Sequence, residues 1–160
     1  MAQITLNQRQ LKKTIKKLNA LEAPLTKRGA DNLGKVIVSE MKKDISRSRS
    51  PITGETFPGL QDPYRSRKQK LGKGNKPNLK LFGQFLNSLM NAVTKNRSGF
   101  SAVIKFSNQL ARKKEQGHRE GANNQEKRPI IPTREEGFNR RISRIIFNFM
   151  SSTVGDIIRK

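Results

Sequence analysis

Residues 87–106 are NSLMNAVTKNRSGFSAVIKF, and this stretch decides the fold of the chain. Apolar residues in its second half alternate with smaller or polar ones, except at Val103, which is the period of a strand with one buried face. The alternating positions are Phe100, Ala102, Ile104 and Phe106. A partner strand is predicted near residues 87–95, after a helical turn, and Asn96 to Gly99 supplies the turn between the strands. The stretch therefore predicts an antiparallel hairpin.

Two helices are predicted before the hairpin. Thr5-x-x-Gln8 has the spacing of a capping box, and it opens an amphipathic helix or arm over residues 1–22. Pro24 suits the first turn of a second helix, which runs to the Arg-Ser repeat at residues 46–50. The apolar positions of this second helix are Leu25, Leu33, Ile37, Met41 and Ile45. Two glycines inside it indicate close packing against a neighbouring backbone.

Three elements are predicted after the hairpin. Residues 107–117 favour a short helix that ends at Gly117, followed by a polar and mobile segment. Residues 128–132, RPIIP, are predicted to form a third, short strand, which its two prolines confine to a sheet edge or to a joint with a neighbouring subunit. Thr133-x-x-Glu136 is a second capping box, and it predicts that the last helix begins there. The apolar stripe of that helix is Phe138, Ile142, Ile145, Ile146 and Phe149.

Together these elements predict one α+β domain over residues 1–160, with a small antiparallel β-sheet packed against N-terminal and C-terminal α-helices. The 160 residues suffice for one domain and are too few for two. Residues 46–78, rich in proline and glycine, are predicted to form a long central loop, and residues 79–160 to carry the strands and the C-terminal helix. Because a structureless connection of this length is uncommon, the loop is expected to be functional or ordered by a partner.

Positive charge dominates the composition. Lys and Arg number 34 against 12 Asp and Glu, so the formal net charge is +22. Such a surface attracts polyanions or acidic proteins. We predict that a basic run contacts either DNA or an acidic partner, through Arg65, Arg67, Lys68, Lys70, Lys73, Lys76 and Lys80. Because the chain has no Trp and few aromatic residues, contact with DNA would be non-specific.

Residues suited to catalysis or metal binding are scarce. Cysteine is absent, and His118 is the only histidine, predicted to lie in a polar loop. Glu135 and Glu136 are adjacent, and their place in a first helical turn favours capping over chemistry. We therefore predict no catalytic residues, no metal site and no cofactor, and we expect the protein not to be an enzyme. No apolar run is long enough for a transmembrane helix, so we expect no membrane partner and a soluble cytoplasmic product.

The order of these motifs resembles the tail-completion or virion morphogenesis proteins of tailed bacteriophages, over residues 20–155. Those proteins tend to have a Ser-Pro-x-x-Gly segment followed by an aromatic residue and a leucine, a Gly-x-Leu-like step, a segment ending in Gln-Gly, and an Arg-Pro apolar strand that enters the final helix. The matching positions are Ser50, Pro51, Gly54, Phe57, Leu60, Gly83, Leu86, Gln116, Gly117, Arg128, Pro129 and Pro132. Phe85 is bulkier than the residue usual at its position.

The resemblance implies a structural, non-enzymatic virion protein of the phage neck or tail end. Such a protein packs as a ring, commonly six-fold, that joins or completes the tail at its head-proximal end. The implied partners are further copies of the chain, head connector or adaptor proteins, tail tube or tail terminator proteins, and the genomic DNA in the channel. The implied location is the virion, and the host cytoplasm during assembly. A subunit joint is predicted at Phe57, Leu60, Arg128, Ile130, Ile131 and Arg134.

A second function stays open on the residues alone. A small DNA- or RNA-binding protein could act without sequence specificity through the net charge of +22. Steep loss of affinity with salt, and absence from phage particles, would favour this alternative. A nuclease is a third possibility, but Asp44, Glu55 and Asp62 have no spacing that predicts a metal site.

Overall fold

The computed structural model describes residues 25–79, 83–97, 99–121, 126–133 and 135–159, with side chains as far as residue 152. The predicted helix or arm at residues 1–22 lies outside these ranges, as do Lys80 and Arg134. The elements in chain order are α1 (Lys27–Ser46), α2 (Tyr64–Lys70), α3 (Gln84–Asn87), β1 (Leu89–Asn96), β2 (Gly99–Phe106), α4 (Gln109–Glu120) and α5 (Arg140–Arg159). The fold is α+β, as predicted.

The predicted hairpin is present. β1 and β2 pair antiparallel from Leu89 opposite Phe106 to Asn96 opposite Gly99, and the short α3 supplies the helical turn before them. Because side chains alternate between the faces of a strand, Leu89 and Phe106 are buried together while Met90 is exposed on the other face. Helix α1 contacts both strands. The core therefore lies between α1 and one face of the hairpin.

Helix α1 begins later than predicted. The side chain of Thr26 accepts a hydrogen bond from the N–H of Gly29 at 3.0 Å, so Thr26 is the N-cap and the helix starts at Lys27 rather than around Pro24. The predicted apolar stripe is confirmed, because Leu33, Ile37, Met41 and Ile45 are all buried.

Gly34 allows α1 to approach the hairpin. A Cβ atom added at Gly34 would lie 2.7 Å from the Cβ of Asn91 in β1, closer than real Cβ contacts. The amide of Asn91 donates to the Asp31 carboxylate at 2.9 Å, one turn earlier on the same helix. The close packing predicted from the glycines is present at Gly34, although the neighbour is a side chain rather than a backbone.

The predicted third strand at RPIIP is wrong. Within the described residues the sheet has two strands, and residues 128–132 run as irregular chain. The backbone N–H groups of Ile130 and Ile131 donate to Oε1 of Glu115 on α4, at 3.0 and 3.1 Å. A buried side-chain carboxylate thus satisfies donors that a neighbouring strand would otherwise have to satisfy.

Helix α4 extends beyond its predicted stop. Asn108 caps its start by accepting from the N–H of Ala111 at 2.8 Å. The helix passes through Gly117 and ends at Gly121, which has φ +76°, the left-handed conformation in which helices commonly end at glycine. His118 therefore lies on a helix and not in a polar loop.

The predicted start of the last helix is also wrong. Both hydrogen bonds of the Thr133–Glu136 capping box are formed, at 2.8 and 3.3 Å, but they close a turn and not a helix. Asn139 is the cap instead, because its Oδ1 accepts from the N–H of Ile142 at 3.0 Å and α5 begins at Arg140. The predicted stripe is confirmed at Ile142, which is buried, and at Phe138, Ile146 and Phe149, which pack against the core.

The central segment contains more structure than predicted. An antiparallel bridge joins Arg49 to Thr56, and helix α2 occupies Tyr64–Lys70. The side chains of Phe57 and Leu60 are buried. Residues 46–78 are thus an ordered excursion that packs on the domain, rather than a long structureless loop.

A basic cleft as the candidate functional site

A cleft of about 390 Å³ lies beside helices α2, α3 and α4. Its polar and aromatic walls are formed by Tyr64, Arg67, Phe85, Lys114, His118 and Arg128. A second cavity, of about 340 Å³, shares Leu60, Tyr64, Arg67 and Arg128 with the first. We call the first of these the basic cleft.

Arg128 is held rigidly in the wall of the basic cleft. Arg128 is 4% exposed, and its Nη2 donates to the carbonyl oxygens of Pro58 and Gly59 at 3.1 and 2.7 Å. Its backbone N–H donates to the carbonyl of His118 at 2.7 Å. The Nε atom is buried and has no hydrogen-bond partner among the described residues. Burial lowers the pKa of the Arg128 guanidinium, and the Glu126 carboxylate counteracts this shift.

His118 lies next to Arg128 in the same wall. Its ring centroid is 5.6 Å from that of Phe85, and its Nδ1 is buried without a partner in the described part of the chain. Burial, together with the charges of Arg128 and Lys114, lowers the pKa of His118 from 6.5 to about 4. The imidazole is therefore neutral at physiological pH.

The apolar side of the basic cleft connects it to the core. Phe85 stacks on the buried Phe106 of β2, with ring centroids 4.8 Å apart and planes inclined by 18°. Tyr64 lines the cleft from the start of α2, and burial raises the pKa of its hydroxyl. The tyrosine is thus protonated at neutral pH and keeps its hydrogen-bond donor.

The structure separates the seven basic residues predicted to contact DNA or an acidic partner. Arg65, Arg67, Lys70, Lys73 and Lys76 are exposed. Lys68 is 0% exposed, and its Nζ donates to the carbonyl of Lys76 and to Oδ1 of Asn78, the latter at 2.7 Å. It holds the turn after α2 and cannot present its charge to a partner, so that part of the prediction is wrong.

The residues predicted as a subunit joint lie mostly inside the chain. Phe57, Leu60, Arg128 and Ile130 are buried, and Ile131 is half-buried against the core. Packing within one chain accounts for the apolar character of Phe57, Leu60, Ile130 and Ile131. Whether any of them contacts a second copy stays a prediction.

Sequence reasoning missed Lys114 and His118 as cleft residues. They are four positions apart, so they share a face of any helix that continues through Gly117. Because the helix was predicted to end at Gly117, Lys114 and His118 were assigned to different elements, and their common helix face was not recognised. Arg128 joins them through a contact that no local spacing indicates.

Glu115 is a further residue of structural importance that no sequence motif marks. Its Oε1 accepts the two backbone donors at Ile130 and Ile131, whereas its Oε2 is buried and unpartnered within the described residues. Burial raises the pKa of this carboxyl, and the two amide donors partly offset that shift. Its role is to fix the segment that carries Arg128.

Among the described residues, no group of three or more His, Cys, Asp or Glu side chains is placed to hold a metal ion. Over the same ranges, no helix combines the length and the apolar character needed to cross a membrane.

Comparison with known proteins places the chain in a family. The model of the phage virion morphogenesis family matches residues 6–155. Searches of the curated proteins and of the solved structures gave no match. Because the match covers nearly the whole chain, the protein belongs to the phage virion morphogenesis family, which confirms the predicted resemblance at that level and indicates a role in building the phage virion.

Proposed function

We propose that this member of the phage virion morphogenesis family is a structural component of the phage neck or tail end. In this proposal, copies of the chain form a ring that joins or completes the tail at its head-proximal end, with no enzymatic step. The observation that carries the proposal is the family match over residues 6–155. It gives no support to the alternative of a free-standing nucleic-acid-binding protein.

The charge of the chain supports an assembly role with acidic neighbours. Copies that each carry +22 repel one another at low ionic strength, so a ring of them needs anionic surfaces close by. Head connector or adaptor proteins, tail tube or tail terminator proteins, and genomic DNA are the partners that we propose. The exposed basic residues of α2 and its following turn are available to meet them.

Within the described residues, exposed surface is the first place to look for a contact between copies. The predicted joint at Arg128 and Ile130 is buried in the chain's own packing. The most exposed large apolar side chains in the described ranges are Phe147 on α5, at 69%, and Leu110 on α4, at 64%. We propose these two positions as the first to change when the ring contact is mapped.

Quantitative peptide mass spectrometry on purified phage particles tests the proposed location. We expect a low and fixed copy number relative to a major tail protein, as one ring per particle requires. Absence from intact particles would overturn the proposal.

Electron microscopy of particles made without this protein tests the proposed step. Heads filled with DNA and separate tails are the expected products, because the joint between them would be missing. Normally joined particles would overturn the neck or tail-end role while leaving another virion role open.

A further inference from the structure

We infer that the basic cleft binds a carboxylate group from an acidic segment of a partner protein. This inference stands apart from the proposed position in the neck or tail, because it depends on the groups inside the cleft and not on where the virion holds the protein.

The charges that line the basic cleft share one sign. Arg67, Lys114 and Arg128 line it, and none of the described lining residues is a carboxylate. Asp62, in the wall of the adjoining cavity, is already paired with Arg65 at 2.6 Å. Glu126 acts on Arg128 from outside the cleft, so the cations in the walls have no counter-charge among the lining residues, and an anionic ligand would supply one.

The second observation is that buried polar atoms in the same walls have no partner. Nε of Arg128 and Nδ1 of His118 are both buried, and neither has a hydrogen-bond partner in the described ranges. A buried polar atom without a partner is costly, and such atoms are uncommon in native proteins. A carboxylate oxygen can accept from a guanidinium N–H, so the unpartnered Nε leaves Arg128 with a donor that a carboxylate reaching it would satisfy.

Arg128 is arranged in advance for this role. Two backbone carbonyls fix its Nη2, and its own backbone is bound to the end of α4. A guanidinium already held in place loses little freedom when a ligand binds. Tyr64 and Lys114 also line the cleft, and both side chains carry hydrogen-bond donors.

The shape of the basic cleft favours a protein carboxylate over a nucleic-acid phosphate. Arg128 is recessed at 4% exposed, beside the rings of Phe85 and Tyr64. A single acidic side chain on an extended segment can enter such a cleft, whereas the phosphates of a duplex follow a continuous outer surface and would meet only the exposed lysines around it. Apolar walls also suit the methylene groups of a glutamate.

The partner is expected to be a different protein. A chain with 34 basic and 12 acidic residues is a poor donor of acidic segments to its own copies, and long-range repulsion opposes their approach. A negatively charged virion protein would supply acidic segments and would be attracted to this chain instead of repelled by it.

The single histidine provides a direct test on the full-length protein. Its imidazole gives one set of NMR signals, and it lies in the wall of the basic cleft. We would titrate the protein at pH 7 with a terminally blocked peptide of five glutamates, and in parallel with the matched peptide of five glutamines. The expected result is a saturable shift of the His118 signals with the glutamate peptide alone, together with a rise of its pKa above about 4.

Two neighbouring lysines on α4 provide matched variants. Lys114→Ala removes a cation from the basic cleft, and Lys113→Ala removes the same charge from an exposed position that does not line it. We expect Lys114→Ala to weaken binding of the glutamate peptide about tenfold, and Lys113→Ala to change it less than about twofold. Both side chains are exposed, so neither change threatens the fold.

Three results would overturn the inference. One is the absence of any His118 shift. Another is equal weakening by the two lysine variants, which would mean attraction to the whole basic surface. The third is an equal or larger Lys114-dependent shift with inorganic phosphate or a short DNA duplex, which would assign the basic cleft to phosphate groups.

Discussion

Asn139 donates its side-chain amide to Oδ2 of the buried Asp44 over 2.9 Å, joining residues 95 positions apart in the sequence. Asp44 lies in the last turn of α1, where the helix macrodipole disfavours negative charge. Asn139, and Arg141 at 2.8 Å from Oδ1, compensate that carboxylate. The oxygen of the same Asn139 side chain caps α5. One residue thus sets how the last helix packs on the first described one.

Asn139→Ala should lower the free energy of unfolding by about 2–4 kcal/mol. The change removes the cap of α5 and a hydrogen-bond donor of the buried Asp44 carboxylate. Urea unfolding followed by circular dichroism measures this. Asn148→Ala on the exposed face of α5 is the matched control and should change stability by less than about 0.5 kcal/mol. Equal effects of the two variants would contradict the role given to Asn139.

Ile130→Ala should destabilise the isolated chain by about 2–5 kcal/mol, because Ile130 is 0% exposed and belongs to the core cluster. Ile131→Ala, at a half-buried position, should have a smaller effect. Thermal unfolding of both variants gives the comparison. A variant at Ile130 that stays as stable as the wild type, and fails only in assembly, would contradict the core role and support the predicted joint between subunits.

Glu115→Ala should destabilise the protein by about 2–4 kcal/mol, because it leaves the buried N–H groups of Ile130 and Ile131 without an acceptor. Glu115→Gln keeps an acceptor oxygen and removes a buried charge, so its effect should be much smaller. Chemical denaturation measures both, and limited proteolysis shows whether residues 126–133 loosen. Similar losses for the two variants would mean that the charge, and not the acceptor, matters.

Gly34→Ala should destabilise the protein by about 1–3 kcal/mol although alanine favours helices, because the new Cβ would lie 2.7 Å from that of Asn91. Gly59→Ala is the control, since a Cβ there meets nothing within 4 Å. Differential scanning calorimetry compares them. A stabilised Gly34→Ala protein would show that α1 and the hairpin are not in such close contact.

Stability should fall as the pH is lowered from about 6.5 to about 4, in part because of His118. Its folded pKa lies below its unfolded pKa, so in this window the unfolded chain binds the proton and the folded one does not. The contribution of His118 therefore favours the folded state most above pH 6.5. Carboxyl groups also titrate here, and the raised pKa of Glu115 acts in the opposite direction.

Comparison with His118→Gln isolates the contribution of the histidine. Unfolding free energies of both proteins, measured from pH 4 to 7, should differ in slope, with a flatter curve for the variant. Parallel curves would contradict the lowered pKa.

Much of the candidate site lay beyond sequence reasoning because it depends on where helices end. Lys114 and His118 were separated by a stop predicted at Gly117, yet the left-handed residue that ends α4 is Gly121. Both glycines are compatible with a helix end, and only packing against Phe85 and residues 126–133 selects one of them. Lys68 was predicted to be a contact residue and is instead buried. Its position in a basic run does not indicate burial.

The sequence by itself determined the hairpin, the apolar faces of α1 and α5, the strong positive charge and the resemblance to phage virion morphogenesis proteins. Each of these follows from local periodicity, from composition or from the order of motifs, which can be identified in the sequence without the structure. Only the tertiary structure decided that Glu115 replaces a third strand, that Asn139 rather than Thr133 starts α5, and that Arg128 meets Lys114 and His118. These features depend on contacts between residues that are not neighbours in the sequence. The free energy of burying and pairing polar groups in the folded chain determines which of these contacts form.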